Sequence, residues 1–399
     1  MEIIKSDGLS IPIKSWCRDI EAVAMAQAEN LARHVALRHH VALMPDCHCG
    51  IGMPIGGVIA AKDAVIPAAV GVDIGCGMIA VETDVDADKL VEMRFRREIH
   101  SRIKEFIPLG EGQPHKSAQT WEGFEEYLDA KDSNSELITK LDRHNLGTLG
   151  GGNHFIEIQK SDSDKVWIMI HSGSRNLGKR IEELYQQKAM QLCERFYTPL
   201  ANSDLAFLPI QEKEGHDYFR DMKFALKYAF ENRQRMMRVC KEVLAEFIPE
   251  VNFLREVNIH HNYAAFEEHF SETLCIHRKG ATSAKLDEIG IIPGSMGTAS
   301  YIVRGLGNRD SFMSCSHGAG RKMSRTAACN NLTVAECDEA MHGIVCDRWQ
   351  TVHRYGKHKK TIDLSEAPQA YKDIEEVITA ESDLVTPLVR LTPLAVIKG

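Results

Sequence analysis

No stretch of this 399-residue chain approaches the ~18 consecutive apolar residues of a membrane-crossing helix, because Lys62, Asp63 and Pro67 interrupt the most apolar segment. A membrane protein is not expected. The amino terminus, MEIIKSDGLS, has no signal-peptide core, and net positive charge is missing too: the formal balance is -8. Such a chain does not coat nucleic acid through bulk electrostatics, although a local basic surface can still grip a phosphate backbone. Aromatic residues make up only 7%, and the eleven cysteines, odd in number and irregularly spaced, do not form a disulfide framework. These absences point to the cytoplasm, where thiols stay reduced and open to metals.

What is present is an ordinary globular composition, 44% hydrophobic and 26% charged, in a chain long enough for a large core. Apolar residues recur at three- and four-residue steps over 18–34, 87–106, 178–197 and 216–246, which predicts helices. Short β-like runs lie between them: VALM at 41, VIAA at 58, HFIEI at 154, VWIMI at 166, TLCIH at 273 and SYIVRG at 300. Pro108, Gly110, Gly112 and Pro114 mark a surface loop over 107–120. Polar clusters follow the β-like runs from position 46 to position 317, so one catalytic unit assembled from many loops is favoured over a string of modules. The expected architecture is a single large α+β domain over 1–399, with loop and helical insertions near 103–145 and 178–250.

Five clusters carry chemistry: MPDCHCG (44–50), VGVDIGCGM (70–78), GGGNHFIE (150–157) with IMIHSGSR (168–175), IHHNY (259–263) and CSHGAGR (315–321). A histidine at the end of a strand is held rigidly, and glycines beside it leave open space. Each alone has a bland reading, since a strand-end histidine is commonly hydrogen-bonded structure and a lone cysteine a small buried hydrophobe. Together Asp73, Cys76, His154, His171 and His261 supply carboxylate, thiolate and imidazole, a mixture that suits Zn, Mn, Fe or Co. Five ligands exceed one tetrahedral site, and two metals sharing a bridging thiolate use them all.

GSRNLGKR (173–180) nearly matches the phosphate-loop pattern G-x-x-x-x-G-K-[ST], but Arg180 stands where the magnesium-binding hydroxyl belongs. Arg175, Lys179 and Arg180 then either face a phosphate or form a solvated charged surface. In CSHGAGR, Gly318, Ala319 and Gly320 let a phosphate approach His317, whose neutral imidazole can attack phosphorus, while backbone N–H groups and Arg321 receive the oxygens. Cys315 as a thiol nucleophile is the alternative within that stretch.

MPDCHCG, AAVGVDIGCGM, LGTLGGGNHFIE, HSGSRNLG, HHNY, RKGAT, IIPGSMG, SYIVRGLGN, SCSHGAGR, AYKDI and the terminal IKG occur in the order and wording of the RtcB family of RNA ligases, which this chain resembles over nearly its whole length. The resemblance implies an enzyme that joins an RNA 3′-phosphate or 2′,3′-cyclic phosphate end to a 5′-hydroxyl, using GTP and two manganese ions (Mn2+) per active site. By that pattern Cys76 bridges the metals, one completed by His154 and His171 and the other by Asp73 and His261. His317 takes GMP from GTP and passes it to the RNA, with Asp46 orienting the imidazole. Glu157 reads guanine, Lys398 donates to its O6 and Tyr371 stacks on the ring. Asn153, Asn262, Ser295 in Pro293, Gly294, Ser295, Met296, and Arg321 beyond Gly318, Ala319 and Gly320 contact the nucleotide and its phosphates.

The wording PDCHCGIG and HHNY suggests a divergent bacterial branch serving RNA repair, with a release-factor-like or activating protein as partner and a monomeric, cytoplasmic enzyme. Cys47 and Cys49 depart from residues common in the family, as does Ile51, where some members carry lysine. A metal-dependent cyclic phosphodiesterase that forms no covalent nucleotide is the competing reading, and an inactive RNA-binding scaffold a third. RYGKHKK (354–360) and RFRR (94–97) are candidate RNA contacts or solvated charged faces.

Overall fold

Many strands of this chain are apolar on both faces, and that double burial dictates sheets covered on each side. The computed structural model describes residues 1–353 and 360–399. Six strands form one sheet in the order Glu2–Ile4, Ile13–Ser15, Leu37–His48, Ile55–Ala61, Glu272–Lys279 and Asn262–His269. Seven form a second, in the order Phe253–His260, Gly77–Asp86, Lys165–Ser172, Phe155–Ser161, Val385–Lys398, Ser300–Gly305 and Ile289–Ile292. All pairings within the second sheet for which register is resolved are antiparallel. This is an α+β fold, as the sequence predicts.

Side-chain alternation divides each sheet between two cores. Leu37, Val41, Leu43 and Ile59 of the first sheet face one cluster, and Ala42, Met44, Val58 and Ala60 face another. In the second sheet Ile79, Val81, Ile168 and Ile170 face one side, and Met78, Ala80, Trp167 and Met169 the other. The 35-residue helix Lys213–Phe247 belongs to both sheets' cores: Tyr218, Met222 and Tyr228 pack with the first, Met236, Met237 and Cys240 with the second. Residues of 178–250, the stretch expected to carry an insertion, thus pack into both cores. The segment 103–145 also contributes, since Phe124 and Tyr127 of the helix Glu122–Leu128 are buried in the first cluster.

The helices expected over 18–34, 178–197 and 216–246 are Ala22–Ala32, Leu177–Arg195 and Lys213–Phe247, while the expected 87–106 splits into Ala87–Leu90 and Met93–Phe106. Every β-like run named above lies in a strand or overlaps one. RFRR opens the helix Met93–Phe106, where Arg96 donates to the carbonyls of Leu90, Val91 and Gly343 and Arg94 pairs with Glu98 at 2.9 Å. Arg96 is thus structural and not free to hold RNA. RYGKHKK lies outside the described residues, save Lys360 in a short strand. Among the described residues no helix is long and apolar enough to cross a membrane.

One buried ion pair between neighbouring strands of the first sheet lends itself to measurement. Arg278, fully buried, holds Glu267 through two bonds of 2.7 and 3.0 Å, and His269 adds a third contact at 3.1 Å. Against the cost of burial, His269 and Arg278 keep the Glu267 carboxyl well below the usual carboxylate range. A depressed folded pKa gives stability that is present above the unfolded value and lost as pH falls. Glu267→Gln is expected to cost about 3–5 kcal/mol in urea unfolding at pH 7, because it strands a buried guanidinium. The deficit should shrink in acid as the wild type loses the same charge.

Candidate active site

Register brings the ligand residues together. In the second sheet Gly77 lies opposite both Ser172 and His260, and His171 lies opposite both Met78 and Phe155. Cys76 precedes Gly77, His154 precedes Phe155 and His261 follows His260, so four adjacent strands deliver His261, Cys76, His171 and His154 to one end of the sheet. The Cys76 Sγ lies 3.2 Å from His171 Nε2 and 3.6 Å from His154 Nε2. His171 Nε2 is 3.3 Å from His261 Nε2, and His154 Nε2 is 3.3 Å from Asp73 Oδ2. Gly173 permits this last approach, since a Cβ there would sit 2.3 Å from the Asp73 carboxylate.

The second ring nitrogens set the tautomers. Nδ1–H of His154 donates to the Leu149 carbonyl at 2.9 Å, and Nδ1–H of His171 to the Asn153 carbonyl at 3.1 Å. Both Nε2 lone pairs therefore point at the Cys76 sulfur. Burial drives the pKa of His171 and His261 well below the usual value, each further lowered by neighbouring imidazoles, so both rings stay neutral. Burial and the Asp73 charge push the Cys76 thiol well up, so a cation would have to displace its proton. Converging lone pairs with few donors among them fit a divalent metal, and Cys76, His154 and His171 have ligand atoms within 4.8 Å of one another. Cys76, His154 and His171, expected at one metal, lie together, while Asp73 stands by His154 and His261 by His171.

His317 follows the strand Ser314–Ser316, whose Ser316 is paired with Ala281, and Ala281 N–H donates to the His261 carbonyl at 3.2 Å. That pairing sets the His317 ring edge-on to His261, with centroids 4.8 Å apart. Asp46, completely buried, accepts Nδ1–H of His317 at 2.6 Å and its backbone N–H at 3.2 Å. Lys372 fixes the carboxylate's own backbone by donating to the Pro45 carbonyl at 3.1 Å and the Cys47 carbonyl at 2.9 Å. Gly320, with φ of 73°, passes so close to Asp46 that a Cβ would lie 2.4 Å from its carbonyl oxygen. Cys315 is buried with its thiol pushed well up, which removes it as a nucleophile.

A cleft of about 390 Å³ opens beside His317 and His171. Asn153, Pro293, Gly294, Ser295, Met296, Gly318, Ala319, Gly320, Arg321, Tyr371 and Lys398 all line it. Two expected residues stand elsewhere. Asn262 spends its amide on the Asp73 carbonyl (3.1 Å) and the Gly280 N–H (2.7 Å), bracing the loop that carries Asp73. Glu157 is buried beyond Phe155 on the same strand face, where it accepts a bond of 2.6 Å from Gln159, and burial lifts its pKa to about 8.

Sequence reasoning missed Glu366. It lines the cleft and gathers Arg321 and Arg325 at 3.2 Å, Lys398 at 3.6 Å and the Tyr371 hydroxyl. Its place in SEAP, a turn-like stretch, gives no metal or nucleophile pattern; only its position five residues before Tyr371 hinted at it. The phosphate-loop near-match has no such role: Arg180 pairs with the buried Asp142 at 2.7 Å, and Arg175 turns back to Thr148 and His154.

A buried thiol–imidazole cluster thus stands beside a carboxylate-held histidine, in a cleft lined by cations and glycines. Comparison with known proteins supplies the class: the family model described as tRNA-splicing ligase RtcB matches residues 27–399. The chain is 40% identical over 410 aligned residues to the RNA-splicing ligase RtcB of Escherichia coli K12, with 97% of each chain covered. It is 31% identical to the tRNA-splicing ligase RtcB of Nanoarchaeum equitans, covering 100% of this chain and 97% of that one. Against the RNA-splicing ligase RtcB of Mycobacterium tuberculosis the identity is 32%, over 89% of this chain and 96% of the relative. The protein is an RNA ligase by descent. It belongs to the RtcB family.

Proposed function

We propose that this chain joins RNA 3′-phosphate or 2′,3′-cyclic phosphate ends to 5′-hydroxyl ends at the expense of GTP, through GMP carried covalently on His317. The observation that carries the reading is the bond from His317 Nδ1–H to buried Asp46, which leaves Nε2 as a lone pair on the cleft side. His317 Nε2 attacks the α-phosphorus of GTP, the N–P bond forms and pyrophosphate leaves. The RNA 3′-phosphate oxygen then displaces the imidazole, and the 5′-hydroxyl oxygen attacks that activated phosphate, expelling GMP. A cyclic phosphate end must first be opened by water to the 3′-phosphate.

Asp73, Cys76 and His154 would hold one manganese ion and Cys76, His171 and His261 the other, and ions so placed neutralise phosphate charge as Lewis acids. Backbone N–H groups around 318–320 and the side chains of Asn153, Ser295 and Arg321 receive phosphate oxygens. Asn262 acts by bracing the Asp73 loop. Incubation with GTP labelled on the α-phosphate is expected to leave an acid-labile, alkali-stable label on the wild type and none on His317→Ala. Equal labelling of the two would defeat the reading. Opening of cyclic ends without GTP and without joined product would favour the phosphodiesterase.

Guanine is read by Glu157 with Lys398, while Tyr371 stacks. Glu157 lies behind Phe155 in the cleft wall, near the Lys398 charge, so the base reaches it only once Phe155 and Gln159 give way. A base N1–H and N2–H prefer an ionised carboxylate, yet burial holds Glu157 protonated below about 8. GTP capture therefore releases a proton, and the affinity should rise with pH up to about 8. Calorimetry in buffers of different ionisation enthalpy checks this, and Glu157→Gln should both weaken GTP and flatten the pH dependence.

RNA repair in the cytoplasm, by a monomer that meets a release-factor-like or activating partner, is the setting that fits the divergent wording of the motifs. Sequencing the RNAs joined in cells with and without the protein tests it.

A further inference from the structure

A second carboxylate stands behind the His317–Asp46 pair and has no part in the chemistry above. Glu381 closes the helix Ile374–Ala380 and is completely buried. Its Oε2 accepts the backbone N–H of Ser316 at 2.9 Å, while the next backbone N–H, that of His317, goes to Asp46 Oδ2 at 3.2 Å. Two successive amides at one strand end are thus each held by a different buried carboxyl group. Around them Asp46 Oδ1, Ser316 Oγ and Glu381 Oε1 are buried with no hydrogen-bond partner among the described residues. The charged groups that face Glu381 are Asp46 and Asp383, with the Cys315 thiol alongside; Arg278, the cation that reaches Cys315, is held by Glu267. Among the described residues no cation offsets these negative neighbours of Glu381, and a buried carboxyl so placed favours its neutral form. Burial, and then the Asp46 charge, push Glu381 up to about 8 against the pull of the Ser316 amide.

We propose that Glu381 is a positioning residue for the His317–Asp46 pair, a carboxyl kept neutral so that Asp46 carries the only negative charge against the imidazole. The role rests on the reading of His317 as the nucleophile. As a neutral acid, Glu381 has an O–H to offer the unpartnered oxygens beside it, and a glutamine there has an N–H of similar reach. Ionisation would set a second negative charge against Asp46 and loosen its hold on His317.

The test compares wild type with Glu381→Gln. The wild-type rate of label transfer from GTP should fall above about pH 8, by up to tenfold per pH unit for loss of one proton, with KM for GTP unchanged. Glu381→Gln should keep the rate within about threefold at pH 7 and lose the alkaline fall. An unchanged fall would overturn the proposal. Urea unfolding supplies a measurement independent of GTP. A raised folded pKa means that folding takes up a proton between the unfolded value and about 8, so wild-type stability should decline with pH in that window more steeply than that of Glu381→Gln. Parallel slopes would sink the idea even if His317 accepts the label, and no label on the wild type would defeat the nucleophile reading while the slopes still judge Glu381. Should Glu381→Gln fold poorly, carboxyl NMR of the ¹³C-glutamate wild type should show two groups titrating near pH 8, of which Glu157→Gln removes only one. A single such group, lost in Glu157→Gln, would refute the neutral acid.

Discussion

Cys76→Ala should lose manganese and RNA joining together, with metal affinity falling by more than the 10–100-fold that loss of an outer hydrogen-bond partner costs. The sulfur stands within 3.2 Å of one imidazole nitrogen and 3.6 Å of another, so its removal takes a donor from both proposed metal positions at once. His154→Ala should be milder, because it leaves the Cys76, His171 and His261 set intact. Metal content by mass spectrometry after desalting, with circular dichroism as the check on folding, separates the two. A Cys76→Ala protein that retains both metals would rule out the bridging role. The fold itself should tolerate the change, since the loss is one small buried side chain and few contacts go with it.

Asp46→Asn is the second large effect, on the order of 10³–10⁴-fold in the rate of label transfer, the scale seen when a carboxylate that fixes a catalytic imidazole becomes an amide. The carboxylate accepts Nδ1–H at 2.6 Å, and an amide N–H turned toward that nitrogen would select the other tautomer, placing a hydrogen on Nε2. GTP binding should survive, because Asp46 faces the imidazole and does not line the cleft. Rapid-quench labelling with saturating GTP measures the step directly. A loss below tenfold would show that the tautomer is set by something else.

Much of this site was legible because strands end where glycines and histidines begin. HFIEI, VWIMI and SYIVRG fall in or overlap strands, and His154 and His171, at the ends of the first two, meet at Cys76. The grouping of Asp73 with His154 was not legible. It depends on the spatial order of Phe253–His260, Gly77–Asp86, Lys165–Ser172 and Phe155–Ser161, which sequence separation does not encode. Val385–Lys398 was missed for a different reason: Pro387 and Pro393 argue against an interior strand, yet register shifts between Ile302 and Val303 and between Pro393 and Ala395 accommodate them. Lys398 accordingly sits in register with Phe155 and not in a frayed tail. Phe253–His260 and Asn262–His269 were hidden by their mixed polar pattern, and Glu366 by the plainness of its surroundings.

His261 is the one residue between Phe253–His260 of the second sheet and Asn262–His269 of the first, and its backbone joins Cys76 at 2.9 Å and Ala281 at 3.2 Å. It acts as a rivet between two plates. Displacing one plate against the other would strain the two backbone bonds that seat this imidazole in the cluster, so the geometry of the centre is tied to how the two sheets sit together.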